Sequence, residues 1–252
     1  MIHPGVTVRR DAGPVQKTGP AFVGQPVSTP SRRWRTHVYI DGFNLYYGFY
    51  KRPAPSHWSR YKWLNLERFC EVLLPDNDIV AVKYYTAEVR NMPPGYQQKR
   101  RQRKYLKALS SLPRVEVVKG LFLKPKPVRR LRCDSEGKPI GGMAWVLRTE
   151  EKGSDVNLGV DLVHDAIRDL FECAVIVSND SDLVRPVSIA KKQYGKVIGL
   201  VNPHAHHQHM AWDLRDLADF TKSVIERTLA DSQFPDEVST PWGIVTRPSE
   251  WH

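Results

Sequence analysis

The stretch AVIVSNDSD occupies residues 174–182 and decides the fold class. Its first four residues are continuously apolar, which is typical of a strand buried on both faces of a parallel sheet. Asp180 and Asp182 follow closely, and ligands of open parallel sheets gather beyond the carboxyl ends of the strands. The stretch therefore predicts a central parallel strand that ends in an acid-bearing loop.

Strand and helix patterns alternate on either side of this stretch. Further strands are predicted at residues 37–40, 79–85, 115–123 and 196–201, and helices at 64–74, 96–109, 155–171, 183–194 and 212–220. Ser154 is expected to cap the helix that starts at Asp155, and Gly195 is expected to end the helix predicted over 183–194. This alternation predicts an α/β fold, a three-layer α/β/α sandwich with a mostly parallel, Rossmann-like central sheet.

The two ends of the chain lack this pattern. Residues 1–34 contain five prolines among Gly and Ser, which predicts a flexible Pro-rich tail. The folded domain is expected over residues 35–230, followed by a loosely held tail at 231–252. Within the domain, residues 124–146 are expected to form a hairpin or a mobile basic flap.

Length and composition exclude several classes of protein. A chain of 252 residues can bury a proper core. It has no apolar run near the roughly 18 to 20 residues of a membrane-spanning helix, and no apolar segment follows the basic residues near the start as in a signal peptide. Its three cysteines are scattered without CxxC spacing, which argues against a disulfide framework and a zinc ribbon. We therefore expect a cytoplasmic protein without a membrane partner.

The net charge of +11 is concentrated in one region. Residues 96–132 contain thirteen Lys and Arg residues and one acid, a net charge of +12, so the rest of the chain sums to −1. A local excess of this kind is typical of a polyanion partner, and nucleic acid is favoured over a membrane or an acidic protein. The residues predicted to contact nucleic-acid phosphates are Lys99, Arg100, Arg101, Arg103, Lys104, Arg129, Arg130 and, beside Asp155, Lys152.

Four aspartates from separate segments are expected on one rim of the sheet. Asp41 follows the first strand, Asp180 and Asp182 follow the 174–177 strand, and Asp155 opens the helix that crosses back from the same rim. Each motif alone is also a common turn or helix cap, so the joint placement carries the interpretation. Two charges about 4 Å apart repel by roughly 4 kcal/mol at an effective dielectric near 20, so a cation is expected among them. Oxygen ligands without His or Cys select Mg²⁺ or Mn²⁺ over zinc.

At these residues the chain resembles the NYN domain family, relatives of the PIN-domain nucleases. The resemblance rests on three ordered motifs, YIDGFNLY at 39–46, EKGSDVNL at 151–158 and VSNDSDL at 177–183, with KYYT at 83–86. It spans residues 36 to 221 and implies a PIN-like sandwich, dependence on Mg²⁺ or Mn²⁺, and ribonuclease activity.

The resemblance also implies roles for individual residues. It assigns metal-ligand roles to Asp41, Asp155, Asp180 and Asp182. Asn44 would orient the first acid or a bound water, and Ser178 would support the site. Asn179 stands where many members have Gly.

Other polar and aromatic residues are given weaker roles. Asp161 lies about 240° around the helix from Asp155, so it is at most a supporting residue, and Asp165 is expected to be solvated. The histidines at 204, 206, 207 and 209 are interpreted as an exposed polar loop. The aromatic residues between Tyr46 and Trp63 are more typical of core than of base stacking.

The leading hypothesis is a metal-dependent endoribonuclease that hydrolyses phosphodiester bonds in single-stranded or loop RNA. Two alternatives stay open: a non-catalytic RNA-binding module, and a DNA-directed nuclease or phosphatase that uses the same acids. The sequence does not identify the RNA or the number of metal ions, and nothing in it indicates a homo-oligomer.

Overall fold

A computed structural model describes residues 33–50, 57–89, 96–122, 126–135, 138–148, 151–203 and 211–251. The predicted N-terminal tail lies outside these ranges except for residues 33 and 34, and Trp34 already belongs to the first strand. The histidine cluster at 204–209 also lies outside the described residues.

The elements of the described residues alternate much as the sequence predicts. In chain order they are β1 (Trp34–Asp41), α1 (Gly42–Tyr50), α2 (Leu66–Leu73), β2 (Asn77–Thr86), α3 (Tyr96–Leu109), β3 (Val115–Lys119), β4 (Leu121–Phe122), β5 (Lys126–Cys133), β6 (Pro139–Arg148), β7 (Glu151–Lys152), α4 (Ser154–Ile167), β8 (Cys173–Val177), α5 (Val184–Tyr194), β9 (Val197–Val201), α6 (Trp212–Leu217), β10 (Phe220–Lys222), α7 (Glu226–Ala230), β11 (Glu237–Thr240) and β12 (Gly243–Thr246). Short 3₁₀ helices span His57–Tyr61, Ser181–Leu183 and Ser249–Trp251.

A six-stranded parallel sheet forms the centre, in the order β10-β9-β8-β1-β2-β3. The continuously apolar β8 lies inside it and is buried along its whole length. Ile40 of β1 pairs with Val177 of β8, so Asp41 and Ser178 reach the same rim of the sheet. The register thus places the first acid beside the loop that carries the later acids.

Residues of the central strands alternate between two cores, one on each face of the sheet. On β8, Val175 faces the core that contains α1, α2, α3 and α7, whereas Ile176 faces the core that contains α4, α5 and α6. Tyr39 of β1 shares the second core, and its neighbours Val38 and Ile40 share the first. This two-sided packing confirms the three-layer α/β/α sandwich.

Several local expectations are corrected. Ser154 is the first residue of α4 rather than its cap; the capping position belongs to Gly153, whose φ of 96° suits glycine. The strand expected over 115–123 is divided at Gly120 into β3 and β4, and β4 pairs with β7 instead of the main sheet. The helix expected over 212–220 ends at Leu217, because Phe220 begins the edge strand β10.

Two other segments are better defined than the sequence suggests. The basic segment predicted as a hairpin or flap contains an antiparallel pair, β5 and β6. The C-terminal segment 231–252, expected as a loose tail, forms β11, β12 and the last 3₁₀ helix, and buries Phe234 and Trp251 in the first core. The indole nitrogen of Trp63 donates to the Pro235 carbonyl at 2.8 Å, which ties this segment to the start of α2. The packing of large aromatic side chains therefore holds the C-terminal segment on the domain.

No helix among the described ranges has the length and apolar composition needed to cross a membrane.

Candidate metal centre

Three of the four predicted acids meet at the carboxyl rim of the sheet. Asp41 ends β1, Asp180 follows β8, and Asp155 lies in the first turn of α4. One carboxylate oxygen from each lies within 4.8 Å of the others. Asp41 is buried, whereas Asp155 and Asp180 are partly exposed, so the group opens toward solvent on one side.

Asp41 is held in place from both sides of its carboxylate. Its Oδ1 accepts hydrogen bonds from the backbone N–H groups of Phe43 at 3.0 Å and Asn44 at 2.9 Å, at the start of α1. Its Oδ2 accepts the Ser178 hydroxyl at 3.0 Å, and that hydroxyl in turn accepts the Asp180 N–H at 3.1 Å. Ser178 thus joins two of the acids, which fixes their separation.

The loops that carry the acids are also joined through amide side chains. The Asn44 Oδ1 accepts the N–H of Asn179 at 3.2 Å, and the Asn179 Oδ1 accepts the N–H of Ala211 at 2.7 Å. These two hydrogen bonds therefore connect α1 with the loop after β8, and that loop with the residue before α6.

Burial and neighbouring charges shift the pKa values of two acids of the site. Burial, together with the charges of Asp41, Asp180, Glu151 and Asp182, raises the pKa of Asp155 to about 6. Burial also raises the pKa of Asp41, while its hydrogen bonds oppose that rise. Both burial and neighbouring negative charge therefore disfavour the ionised form of the Asp155 carboxyl group.

The donor set fits a hard divalent cation. Two ligands on opposite sides of one ion lie about 4 to 5 Å apart, twice the usual metal–oxygen distance, and the three oxygens fall within this span. All three donors are carboxylates, without the His or Cys that a zinc site uses. The group can therefore hold a metal ion.

A cavity of about 320 Å³ opens over the acids. Besides the three aspartates it is lined by Phe43, Asn44, Tyr47 and Glu151. Glu151 is a site residue that is not among the predicted ones. It reaches the cavity because β7 pairs with β4. Its Oε1 accepts hydrogen bonds from both the N–H and the hydroxyl of Ser154. The nearness of Glu151 to Asp155 in the chain is the signal that could have identified it.

Comparison with known proteins identifies the family. The sequence profile of the NYN domain matches residues 35–225. The chain belongs to the NYN domain family. This family is part of the PIN-like nuclease superfamily, in agreement with the parallel sheet and its flanking helices.

Two individual proteins are similar to this NYN protein. It is 31% identical over 229 residues to 6-hydroxy-3-succinoylpyridine 3-monooxygenase HspA of Pseudomonas putida, an alignment that covers 80% of this chain and 70% of HspA. A crystal structure of a protein of unknown function from Vibrio parahaemolyticus aligns with a TM-score of 0.48 at 18% identity, over 81% of this chain and 98% of that one.

Two predicted site residues of the NYN domain lie outside the group of three. Asp182 is exposed; its N–H donates to the Asp180 Oδ1 at 3.0 Å, and its charge acts on Asp155 from a distance. Asp161 accepts the Tyr85 hydroxyl at 2.9 Å. Among the described residues, neither is brought into the set of close carboxylates.

Asp165 is buried, so the expectation that it is solvated is wrong. Its Oδ2 accepts the Tyr39 hydroxyl at 2.8 Å, forms an ion pair with Lys83 at 2.8 Å, and lies in hydrogen-bond contact with the His37 Nδ1 at 3.3 Å. These bonds lower the pKa of Asp165 and keep its charge in the second core. The network joins the last turn of α4 to β1 and β2.

The predicted basic residues occupy different surfaces. Arg101 faces a second cavity beside α1 and pairs with Glu250 at 2.8 Å. Arg129 and Arg130 are exposed on the β5–β6 hairpin, and Lys152 is exposed on β7. The other four of these residues line a groove of about 760 Å³ along α3: Lys99, Arg100, Arg103 and Lys104.

The aromatic residues after the first acid divide between core and surface. Phe49, Tyr50 and Trp63 are buried in the first core, as expected for that composition. Tyr47 is 50% exposed and faces the acid cavity.

Proposed function

We propose that this NYN protein is a divalent-metal-dependent endoribonuclease that hydrolyses phosphodiester bonds in single-stranded or loop RNA. The observation that carries the proposal is the meeting of Asp41, Asp155 and Asp180 within 4.8 Å, at the rim where ligands of parallel sheets bind. Family membership supports a nuclease, and the basic surface supports a nucleic-acid substrate.

In this proposal Asp41, Asp155 and Asp180 would hold Mg²⁺ or Mn²⁺, with Asp182 near enough to add charge. When bound, such an ion lowers the pKa of water and offsets negative charge on phosphate oxygens. The protein positions the acids: Ser178 holds Asp41 and the Asp180 loop together, and Asn44 holds the Asn179 loop. This fixed geometry lets the acids bind an ion without rearrangement.

The groove along α3 would bind the RNA backbone. It is lined by six cations, Lys99, Arg100, Arg103, Lys104, Lys107 and Lys119. Glu88 pairs with Arg103 and Lys119 across the groove, and the exposed indole of Trp242 stands at its edge. Cations give affinity for phosphate without sequence choice, and an exposed indole can stack on an unpaired base.

A test of the proposal measures cleavage of labelled single-stranded RNA by the wild-type protein in Mn²⁺, Mg²⁺ or EDTA. Asp180→Asn should abolish the metal-dependent cleavage, since the amide keeps the bond from the Asp182 N–H and removes the charged ligand. Asp78→Asn is the matched control, because Asp78 is an exposed acid near the start of β2, at the end of the sheet away from the three acids. This change should not alter cleavage. Unchanged cleavage by Asp180→Asn, or cleavage in EDTA, would exclude the mechanism.

The same assay separates the alternatives. Tight, salt-sensitive binding without a metal-dependent product would favour a non-catalytic RNA-binding module. Equal cleavage of a DNA strand, or hydrolysis of a small phosphate ester, would favour a DNA-directed nuclease or a phosphatase. The small number of cysteines and their scattered spacing support the proposed location in a reducing cytosol.

A second candidate function is oxygenation of an aromatic ring. Its support is the name of the 31% identical relative, a monooxygenase of a hydroxypyridine, together with the second cavity beside α1, whose lining includes Tyr46, Tyr84 and Tyr105. The test is oxygen consumption with 6-hydroxy-3-succinoylpyridine and a reduced nicotinamide as the electron donor. Consumption that depends on both additions, with no RNA cleavage, would replace the nuclease proposal.

A further inference from the structure

A second cavity, of about 380 Å³, lies next to the acid cavity. Phe43 and Tyr47 line both, so the two cavities share a wall. The aromatic side chains around the second cavity include Phe43, Tyr46, Tyr47, Tyr84, Tyr105 and Trp251. Pockets of roughly 300 to 1,000 Å³ with mostly apolar walls are the usual size for a small planar ligand.

The floor of this aromatic cavity consists of buried side chains. Tyr84, Tyr105 and Trp251 are each less than 10% exposed, and the Tyr84 and Tyr105 rings meet at 90° with centroids 6.3 Å apart. Gly42 permits this floor, because a Cβ there would lie 2.7 Å from the Tyr84 ring and 2.6 Å from the Tyr85 carbonyl oxygen. The floor of the cavity is therefore built by β2, α3 and the C-terminal 3₁₀ helix.

The rim of the aromatic cavity is polar and basic. Lys62 places its Nζ 5.8 Å from the centroid of the Tyr46 ring, and Arg101 and Gln98 of α3 also face the cavity. The opposite side of α3 lines the basic groove. The aromatic cavity thus lies between the acids and the basic helix.

We infer that the aromatic cavity binds the base of the nucleotide next to the phosphate held at the acids. Phe43 and Tyr47 are the stacking residues, because their side chains stand between the two cavities and are less buried than the floor. Lys62 and Arg101 receive the flanking phosphates. A base enters this cavity only when it is unpaired, which restricts the substrate to single strands and loops. The inference rests on the proposed function for the identity of the ligand.

The test uses short labelled RNA strands that each lack the base at one position. Their affinities for the full-length Asp180→Asn protein are measured in Mn²⁺ by fluorescence anisotropy, so that cleavage does not consume the probe. Loss of one particular base should weaken binding by about 5- to 150-fold, as expected for one stacked base. Adding Phe43→Ala should remove the difference between the intact strand and that abasic strand. Adding Tyr194→Ala, an exposed tyrosine at the end of α5, should leave the difference unchanged.

Three outcomes separate the inference from the proposed function. Position-dependent binding that Phe43→Ala abolishes supports the base site, whether or not the wild-type protein cuts the strand. Cleavage by the wild-type protein with equal affinity for every abasic strand overturns the base site and leaves the nuclease intact. An equal loss of affinity for all strands on Phe43→Ala also overturns it, since that change then acts through folding or charge.

Discussion

The substitution Asp180→Asn should have opposite effects on stability without and with metal. Without metal, Asp180 is repelled by Asp41 and Asp155, whose nearest oxygens lie within 4.8 Å. At that distance each pair costs about 0.9 kcal/mol in water and about 3.5 kcal/mol at an effective dielectric of 20. Since Asp180 and Asp155 are partly exposed, the lower value applies, and removing two pairs should stabilise the fold by about 2 kcal/mol.

The change is nearly isosteric, so the gain is not offset by a lost cap. The Asp180 Oδ1 accepts the Asp182 N–H at 3.0 Å, and an asparagine oxygen can accept the same bond. For a domain of this size, 2 kcal/mol corresponds to a rise of about 4 to 8 °C in Tm.

The assay is thermal unfolding at pH 8, where the acids are ionised, in EDTA and in Mn²⁺. In EDTA the Asp180→Asn protein should melt above the wild type. In Mn²⁺ at about 100 times its Kd, the wild type should gain about 2.7 kcal/mol, and the variant should gain much less because it has lost a ligand. Asp78→Asn serves as the control and should leave the response to metal unchanged. Equal or lower Tm of Asp180→Asn in EDTA, with an undiminished response to Mn²⁺, would refute the reasoning.

Four further predictions concern the site, the basic groove and the fold. In EDTA the wild type should lose stability relative to Asp155→Asn as the pH rises from about 4 to about 6, because the raised pKa of Asp155 makes the folded state bind the proton more tightly than the unfolded state does. Measurements of unfolding at several pH values test this, and parallel curves of stability against pH for the two proteins would contradict it. Ser178→Ala should lower the affinity for Mn²⁺ by about 10- to 100-fold, measured calorimetrically, as for other residues that orient metal ligands; an unchanged affinity would show that the serine does not position the acids. Arg100→Ala should make the slope of log K against log salt for RNA less negative by about 0.7, whereas Lys192→Ala on α5 should not; equal slopes would remove Arg100 from the RNA surface. Trp251→Ala should cost about 3 to 5 kcal/mol in urea unfolding because the side chain is buried against Trp63, while a loss below about 0.5 kcal/mol would fit a loose tail.

The acids that directly follow strands are the ones that sequence locates best. Asp41 and Asp180 come at or just after the ends of β1 and β8, and parallel strands bring their carboxyl ends to one rim. Asp182 also lies on that rim, but it belongs to the short 3₁₀ helix and its side chain is exposed. The position of a residue relative to a strand end predicts the rim of the sheet on which it lies, but it does not predict the direction of its side chain.

The position of Asp165 in its helix indicates burial, whereas its charged side chain favours exposure to solvent. Leu158, Leu162 and Asp165 follow helical spacing and all face the second core. A carboxylate on a core stripe is stable only with buried partners, and its partners His37 and Lys83 come from distant strands. Spacing therefore identifies the buried position, whereas the partners depend on the sheet register.

The C-terminal segment and Glu151 depend on contacts that local patterns do not encode. Phe234 and Trp251 are isolated among polar residues, and they pack on Trp63, far away in the chain. Glu151 reaches the acid cavity through the two-residue pairing of β7 with β4. Such a short pairing carries no periodic signal, so the nearness of Glu151 to Asp155 in the chain can suggest Glu151 as a candidate, but the pairing that places it at the cavity becomes visible only once the fold is known.

The most direct test of the metal centre is a crystal structure of the protein grown or soaked in Mn²⁺, with the ion located by its anomalous scattering. We expect a peak between Asp41, Asp155 and Asp180, with oxygens of all three at about 2 to 2.5 Å. A map with no peak there, or with the three carboxylates turned away from one another, would contradict this expectation.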